Sequence, residues 1–122
     1  MPFEYVVSSK PPLAIMRGFG VVDAEMWHAA LRRLTADPLF RSDIRIVIDI
    51  TDVVTSLERF AERMAIDWLR LAPNSRGGIV TRTGLAFEVA REVETMTGHR
   101  LRVFTDADAA FVWLRSRRPH GR

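Results

Sequence analysis

Residues 44–50, IRIVIDI, constrain the fold more than any other part of this chain. The segment is β-branched and nearly all apolar on both alternating faces. It therefore reads as a central strand covered from two sides, not as an edge strand with one face in water. Such a strand needs helices above and below it, and the sequence supplies them. Asp23 can cap a first helix by accepting from free first-turn amides. Trp27, Ala30, Leu31 and Leu34 then fall on one face. Ala36-Asp37-Pro38 ends that helix, because the residue before proline avoids the helical region. Thr55 with Glu58 three residues on reads as a capping box. It opens a stripe of Leu57, Phe60, Ala61, Met64, Ala65, Trp68 and Leu69, with Glu58, Arg59, Glu62, Arg63 and Arg70 away from it. A methionine and aromatic stripe at this spacing is core, not a cofactor box. Leu85, Ala86, Val89, Ala90, Val93 and Met96 make a third stripe, stopped by Gly98 as a left-handed cap. Thr105 is expected to cap a fourth helix, with Asp108 in the capping-box position and Ala109, Ala110, Trp113 and Leu114 facing inward.

The remaining strands are shorter. Residues 3–8 and 13–17 flank Lys10-Pro11-Pro12, a turn too short for a crossover helix, so they form an antiparallel hairpin. Gly18-Phe19-Gly20 closes the second of them. Residues 73–78 read as a turn before a strand at 79–81, and residues 101–104 form the last strand. The order β-β-α-β-α-β-α-β-α predicts an α/β sandwich with a five-stranded, mostly parallel sheet, four helices and right-handed crossovers.

Composition removes whole classes of function. The 122 residues suit one domain. With 48% apolar and 27% charged residues the chain has the balance of a globular protein. The longest apolar run is residues 109–114, too short to cross a membrane. No basic-then-apolar leader is present, which predicts a cytoplasmic protein. Without cysteine, disulfides, thiol catalysis and Cys-ligated metal sites are excluded. The net charge of +3 and a pI near 10.5 invite a nucleic-acid reading. Yet the last eight residues hold four arginines and no acid, and without them fourteen bases face fifteen acids. The basic character thus belongs to a tail at 115–122, expected to be disordered or weakly ordered, behind a nearly neutral domain at 1–114. That argues against nucleic acid as the partner of the domain.

Open α/β sheets bind ligands beyond the carboxyl ends of their parallel strands. Those ends supply Asp49, Thr51, Asp52, Thr55 and Ser56, then Arg82, Thr83 and Gly84, then Thr105 and Asp106. Arg82 beside a helix start could hold an anion, and Asp49 and Asp52 could accept hydrogen bonds or take magnesium. The alternative is that these residues are caps and loop-solvating groups. His28, His99 and His120 lack an i,i+4 partner, so no metal site is expected. The third glycine of a dinucleotide fingerprint after Gly18-Phe19-Gly20 would fall at Asp23, whose charge repels pyrophosphate. A phosphorelay receiver would need an acidic pair after the first strand and a lysine after the fifth. Ser8-Ser9-Lys10 and the residues after Phe104 supply neither. No cofactor is expected. Phe87, Phe111 and Val112 lie off the helical stripes, where they either contact neighbouring helices or form a self-association surface.

The element order resembles that of the anti-sigma-factor-antagonist or STAS-like fold. Residues 46–53 (IVIDITDV) are similar to its hydrophobic third strand, and residues 26–40, a helix followed by Asp-Pro and an aromatic, fit the same group. Residues 103–114 (VFTDADAAFVWL) resemble the closing F-x-D-x-x-x-A-x-x-W-L stretch of bacterial STAS-like proteins of unknown function. The resemblance implies a non-enzymatic module that binds a protein partner through residues 52–60, including Phe60, and that can self-associate as a homodimer. True antagonists carry an Asp-Ser-Ser-Gly-like stretch with a phosphorylated serine. Residues 53–58 (VVTSLE) offer the hydroxyls of Thr55 and Ser56 but neither the Asp-Ser pair nor the glycine, so the phospho-switch does not carry over. Two other readings stand beside this one. A small-ligand or lipid binder would need an apolar pocket beneath the second and third helices, near Met64, Trp68, Val89 and Met96. An enzyme would need Asp49 and Asp52 to converge in a concave site with a third polar group.

Overall fold

A turn at Lys10 and Pro11 folds β1 (Phe3–Ser9) antiparallel onto β2 (Pro12–Gly20) in the computed structural model, which describes residues 2–115. Pro12 opens β2, a position where a missing amide is tolerated. The strand runs on through Gly18-Phe19-Gly20, which was expected to end it. Then come α1 (Ala24–Thr35), β3 (Arg45–Val53), a 3-10 turn (Leu57–Arg59), α2 (Ala61–Leu71), β4 (Gly77–Val80), α3 (Leu85–Met96), β5 (Leu101–Phe104) and α4 (Ala107–Arg115). The predicted order of strands and helices holds. Of the tail expected at 115–122, Arg115 closes α4 and the rest lies outside the described residues.

The sheet order is β1-β2-β3-β4-β5, with β2 to β5 parallel. Each crossover moves one strand in the same direction. Right-handed connections that advance one way put all their helices on one face. Accordingly α1, α2 and α3 pack together over Ala14, Met16, Ile46, Ile48, Ile50 and Ile79. The fourth helix, which follows the last strand, lies on the other face. There Ala110 and Leu114 meet Val47 and Val80 in a smaller cluster. The paired helices bury Trp27, Trp68 and Phe60 almost completely, each worth about 1.5–3 kcal/mol in transfer free energy. A single helix cannot span the opposite face, so the hairpin's outer side stays open there, with Val6 68% and Ile15 37% exposed across from one another.

Gly77 and Gly78, expected in a turn, are strand residues. A Cβ at Gly77 would sit 2.7 Å from the Trp68 ring and 2.7 Å from Leu101, and one at Gly78 would sit 3.1 Å from Ala110. The pair is there because a helix presses on each face of β4. Three further expectations are corrected. Thr55 does not cap α2, because its Oγ1 accepts from the Val22 amide at 2.9 Å. The chain makes the 3-10 turn first, and α2 starts after Phe60. Thr105 does not cap α4 either. Asp106 does, accepting from the Asp108 amide at 3.2 Å through Oδ1 and from the Ala110 amide through its carbonyl. Leu69, Leu85, Met96 and Ala109 are exposed and Trp113 is half-buried, so the inward faces of α2, α3 and α4 are narrower than their stripes. Asp23 caps α1 as expected, accepting from the Met26 amide at 2.8 Å. Gly98, at φ +64°, follows the end of α3.

Candidate functional site

The carboxyl ends of β2 to β5 form one rim, and a bulge shapes its start. Arg17 pairs with Asp49 while Phe19 pairs with Asp52, so β3 holds one extra residue between them. That residue turns Asp49 and Asp52 to the same face, where Arg17 stands. Asp52 accepts from Arg17 Nη2 at 2.8 Å, and Glu4 lies 3.7 Å from Nη1. The hydrogen bond to Asp52, against a smaller opposing desolvation, holds the Arg17 guanidinium above its ordinary pKa. Asp49 accepts from both the amide and the hydroxyl of Thr51, at 2.9 and 2.6 Å. Arg82 Nε donates to the Thr51 carbonyl at 2.7 Å, tying the β4 loop to the end of β3. Both carboxylates thus have partners already, on an open sheet face. No group of three or more His, Cys, Asp or Glu suited to a metal ion occurs among the described residues.

Beyond the charges the rim becomes apolar. A cleft of about 250 Å³ lies between the 3-10 turn and α3, floored by Ile50, Thr81 and Val89 and edged by Val54, Ser56 and Leu85. A second groove, about 540 Å³, runs between Val21 and Arg59 and shares Thr55 with the first. Three aliphatic side chains stand out around them: Val54 is 74% exposed, Val21 72% and Leu85 66%. Ser56 and Thr83 are exposed beside them, and Thr105 is exposed at the end of β5. Gly84 precedes α3 at φ +91°, a backbone conformation that favours glycine. Phe60 is 1% exposed and belongs to the core, so it cannot form part of a contact surface at residues 52–60. Sequence reasoning did not single out Val21 or Val54, and it placed Leu85 on the inward stripe of α3, whereas Leu85 is exposed. The signal was an isolated aliphatic at the edge of a loop or a helix start, which is common and easily passed over.

The pocket expected beneath α2 and α3 is filled: Met64 and Trp68 are fully buried in the main core. Between those helices a surface groove is lined by Glu58, Glu62, Val89, Glu92 and Met96, and Val89 also floors the cleft beside the 3-10 turn. Phe87 is half-buried against the main core and Phe111 against the smaller one, on opposite faces of the sheet. Val112 is 61% exposed. The three therefore do not form one patch.

A further cleft, about 620 Å³, opens at the other end of the strands. Arg76, which precedes β4, stacks over the Trp113 ring at 4.4 Å and donates from Nη2 to the Trp113 carbonyl at 3.1 Å. Arg102 lies 5.5 Å from the same ring, and Arg100 and His99 complete the wall.

No family model matches the chain, and no curated protein matches it significantly in sequence. Solved structures do match its shape. One is an uncharacterised protein of the DUF3478 family with a SpoIIAA-like fold from Shewanella loihica PV-4. It is 20% identical at a TM-score of 0.65, over 92% of this chain and 91% of that one. Another is an anti-sigma factor antagonist from Mycobacterium paratuberculosis, 19% identical at a TM-score of 0.62, over 93% of this chain and 95% of that one. The chain has the SpoIIAA-like, or STAS-like, fold. No helix among the described residues is long and apolar enough to cross a membrane.

Proposed function

We propose that this chain is a regulatory module that binds a protein partner through the apolar cleft at the carboxyl ends of β3 and β4. The observation that carries the reading is a pair of exposed aliphatic side chains, Val54 and Leu85, at the edge of a cleft floored largely by apolar side chains, with exposed Val21 on the adjoining groove that shares Thr55. Water-exposed aliphatics gathered in one place mark a contact surface. At about 250 Å³ the cleft is below the ~300 Å³ at which small-molecule sites begin, which favours a partner's side chain over a free ligand. The fold shared with an anti-sigma factor antagonist supports a binding role. The reading is non-enzymatic and cytoplasmic, and it needs no phospho-switch. Asp49 is hydrogen-bonded to Thr51 and Asp52 to Arg17, and neither lines the clefts described above, as an enzyme built on the two carboxylates would require.

The test is capture from a native extract with wild type, Val54→Glu and Ser56→Asp. Loss of one shared partner with the Val54→Glu variant, at unchanged melting temperature, is the expected result. Identical partner sets from all three would end the proposal. A second reading, a homodimer, is favoured by the exposed pair Val6 and Ile15 beside the open edge of β1. Sedimentation of wild type and Val6→Glu at two concentrations separates it from a monomer.

A further inference from the structure

The arginine cleft at the amino ends of β4 and β5 is a second site, independent of the rim just discussed. Its geometry follows from where arginine falls in the chain. Arg45 is the first residue of β3, Arg76 immediately precedes β4 and Arg100 immediately precedes β5. Parallel pairing brings those three starts together, with Gly77 opposite Leu101 and Ile46 opposite Gly77. Arg102, from inside β5, is the third arginine of the cleft, and Arg45 lines a neighbouring one.

The acid in the wall is already used. Glu94 Oε1 accepts from the Val103 amide at 3.0 Å, and its Oε2 lies 3.0 Å from His99 Nδ1. Among the described residues, neither Arg100 nor Arg102 has an ion-pair partner. Burial, and then the nearby charge of Arg45, push the Arg76 guanidinium below the usual arginine pKa. Arg100 and Arg102 line the same cleft without ion-pair partners among the described residues, and an anion relieves the repulsion between such like charges. Trp113 holds two of the guanidinia in place by cation–π contact, so less side-chain freedom is lost when they close on a ligand.

We infer that this cleft binds a phosphate group, either free or carried by a nucleotide, through the forked donors of Arg100 and Arg102, beside the Arg76–Trp113 stack. A tetrahedral dianion offers more acceptor oxygens to two forked guanidinia than a single carboxylate does. The volume of about 620 Å³ lies within the range of ligand sites.

Trp113 supplies the readout. Trp27 and Trp68 are fully buried, so the half-exposed Trp113 is the indole that a ligand here would touch. The full chain is titrated with inorganic pyrophosphate and with ATP at constant ionic strength, following tryptophan fluorescence and heat. Expected is saturable binding with Kd below about 1 mM. Arg100→Gln and Arg102→Gln should each weaken it about tenfold, the worth of one charge-assisted contact. Arg82→Gln and the tail variant Arg117→Gln/Arg118→Gln should leave it unchanged. ATP binding tighter than pyrophosphate assigns a nucleotide, and equal binding assigns phosphate alone. The inference is overturned by no saturable binding of either probe, or by binding that Arg100→Gln and Arg102→Gln leave intact. It is also overturned if binding is seen only with a single-stranded oligonucleotide and is lost in the tail variant.

Discussion

The two ends of the parallel strands handle charge in opposite ways. At the carboxyl ends Arg17 is paired with Asp52, and Arg82 donates to the Thr51 carbonyl. The most exposed large apolar side chains there, Val54, Val21 and Leu85, stand around the clefts. At the amino ends arginines gather around one indole, and the neighbouring glutamate is committed elsewhere. A surface with methyl groups gathered in water around a cleft is suited to another protein. A surface where Arg100 and Arg102 lack ion-pair partners among the described residues is suited to an anion. The whole-chain charge of +3 conceals this division. The excess was assigned to a tail, and the domain's own arginines proved to be polarised toward one end.

Substitutions at the two ends can break or sharpen that contrast. The largest effect is expected from Gly77→Val at the amino end. Its side chain would collide with Trp68 and Leu101, and overpacking of this kind costs about 1–3 kcal/mol or more in chemical denaturation. Gly84→Ala at the carboxyl end meets nothing within 4 Å, so its cost is the backbone strain of its positive φ alone, about 1–3 kcal/mol, with no collision added. Equal losses at the two sites would mean that β4 is not packed tightly from both sides. Next, Trp113→Ala should lower stability by about 2 kcal/mol, through lost contact with Phe104 and with the two guanidinia. A smaller loss would mean that the arginines are not held by the ring. Val54→Glu should change the unfolding free energy by less than about 0.5 kcal/mol, since a surface aliphatic outside the core supports nothing.

The smallest effect concerns Tyr5. Burial, and then its hydrogen bond to Asp37 at 3.0 Å, raise the phenol's pKa in the folded protein. The protonated form is therefore the one that folding favours. The associated stability is complete below the ordinary phenol pKa near 10 and is lost as pH rises through the raised value. Wild type should lose stability above pH ~10 more steeply than Tyr5→Phe does, and parallel curves would contradict this.

Much of the fold was legible because its signals were local. The β-branched run in β3, the α1 stripe and the Asp23 cap each follow from a few adjacent residues. Misreadings arose where a distant group claimed the residue. Thr55-x-x-Glu58 has the form of a capping box, but the Val22 amide takes the threonine oxygen. Gly77-Gly78 has the form of a turn, but Trp68 and Ala110 need the space. Asp67 sat unnoticed beside the α2 stripe, although it is buried. It accepts from Arg63 Nε at 3.1 Å and lies 3.1 Å from His28 Nδ1. The arginine cleft was the least legible feature. Its members run from Arg76 to Trp113, and strand pairing together with the packing of α4 joins them. A usable sign was present: an arginine immediately before each of the last two parallel strands.

The unreversed order of the sheet also bears on how the chain acquires its shape. Every strand pairs with its neighbours in sequence, so no strand pairing waits for a distant segment to return. Each new strand needs closure of only one crossover, and the entropy of closing such loops grows slowly with their length. Folding can then proceed by accretion from the hairpin outward, with each completed strand serving as the template for the next. A chain organised this way should refold quickly for an α/β domain of its size. It could also begin to fold at its amino terminus while the carboxyl end is still being synthesised.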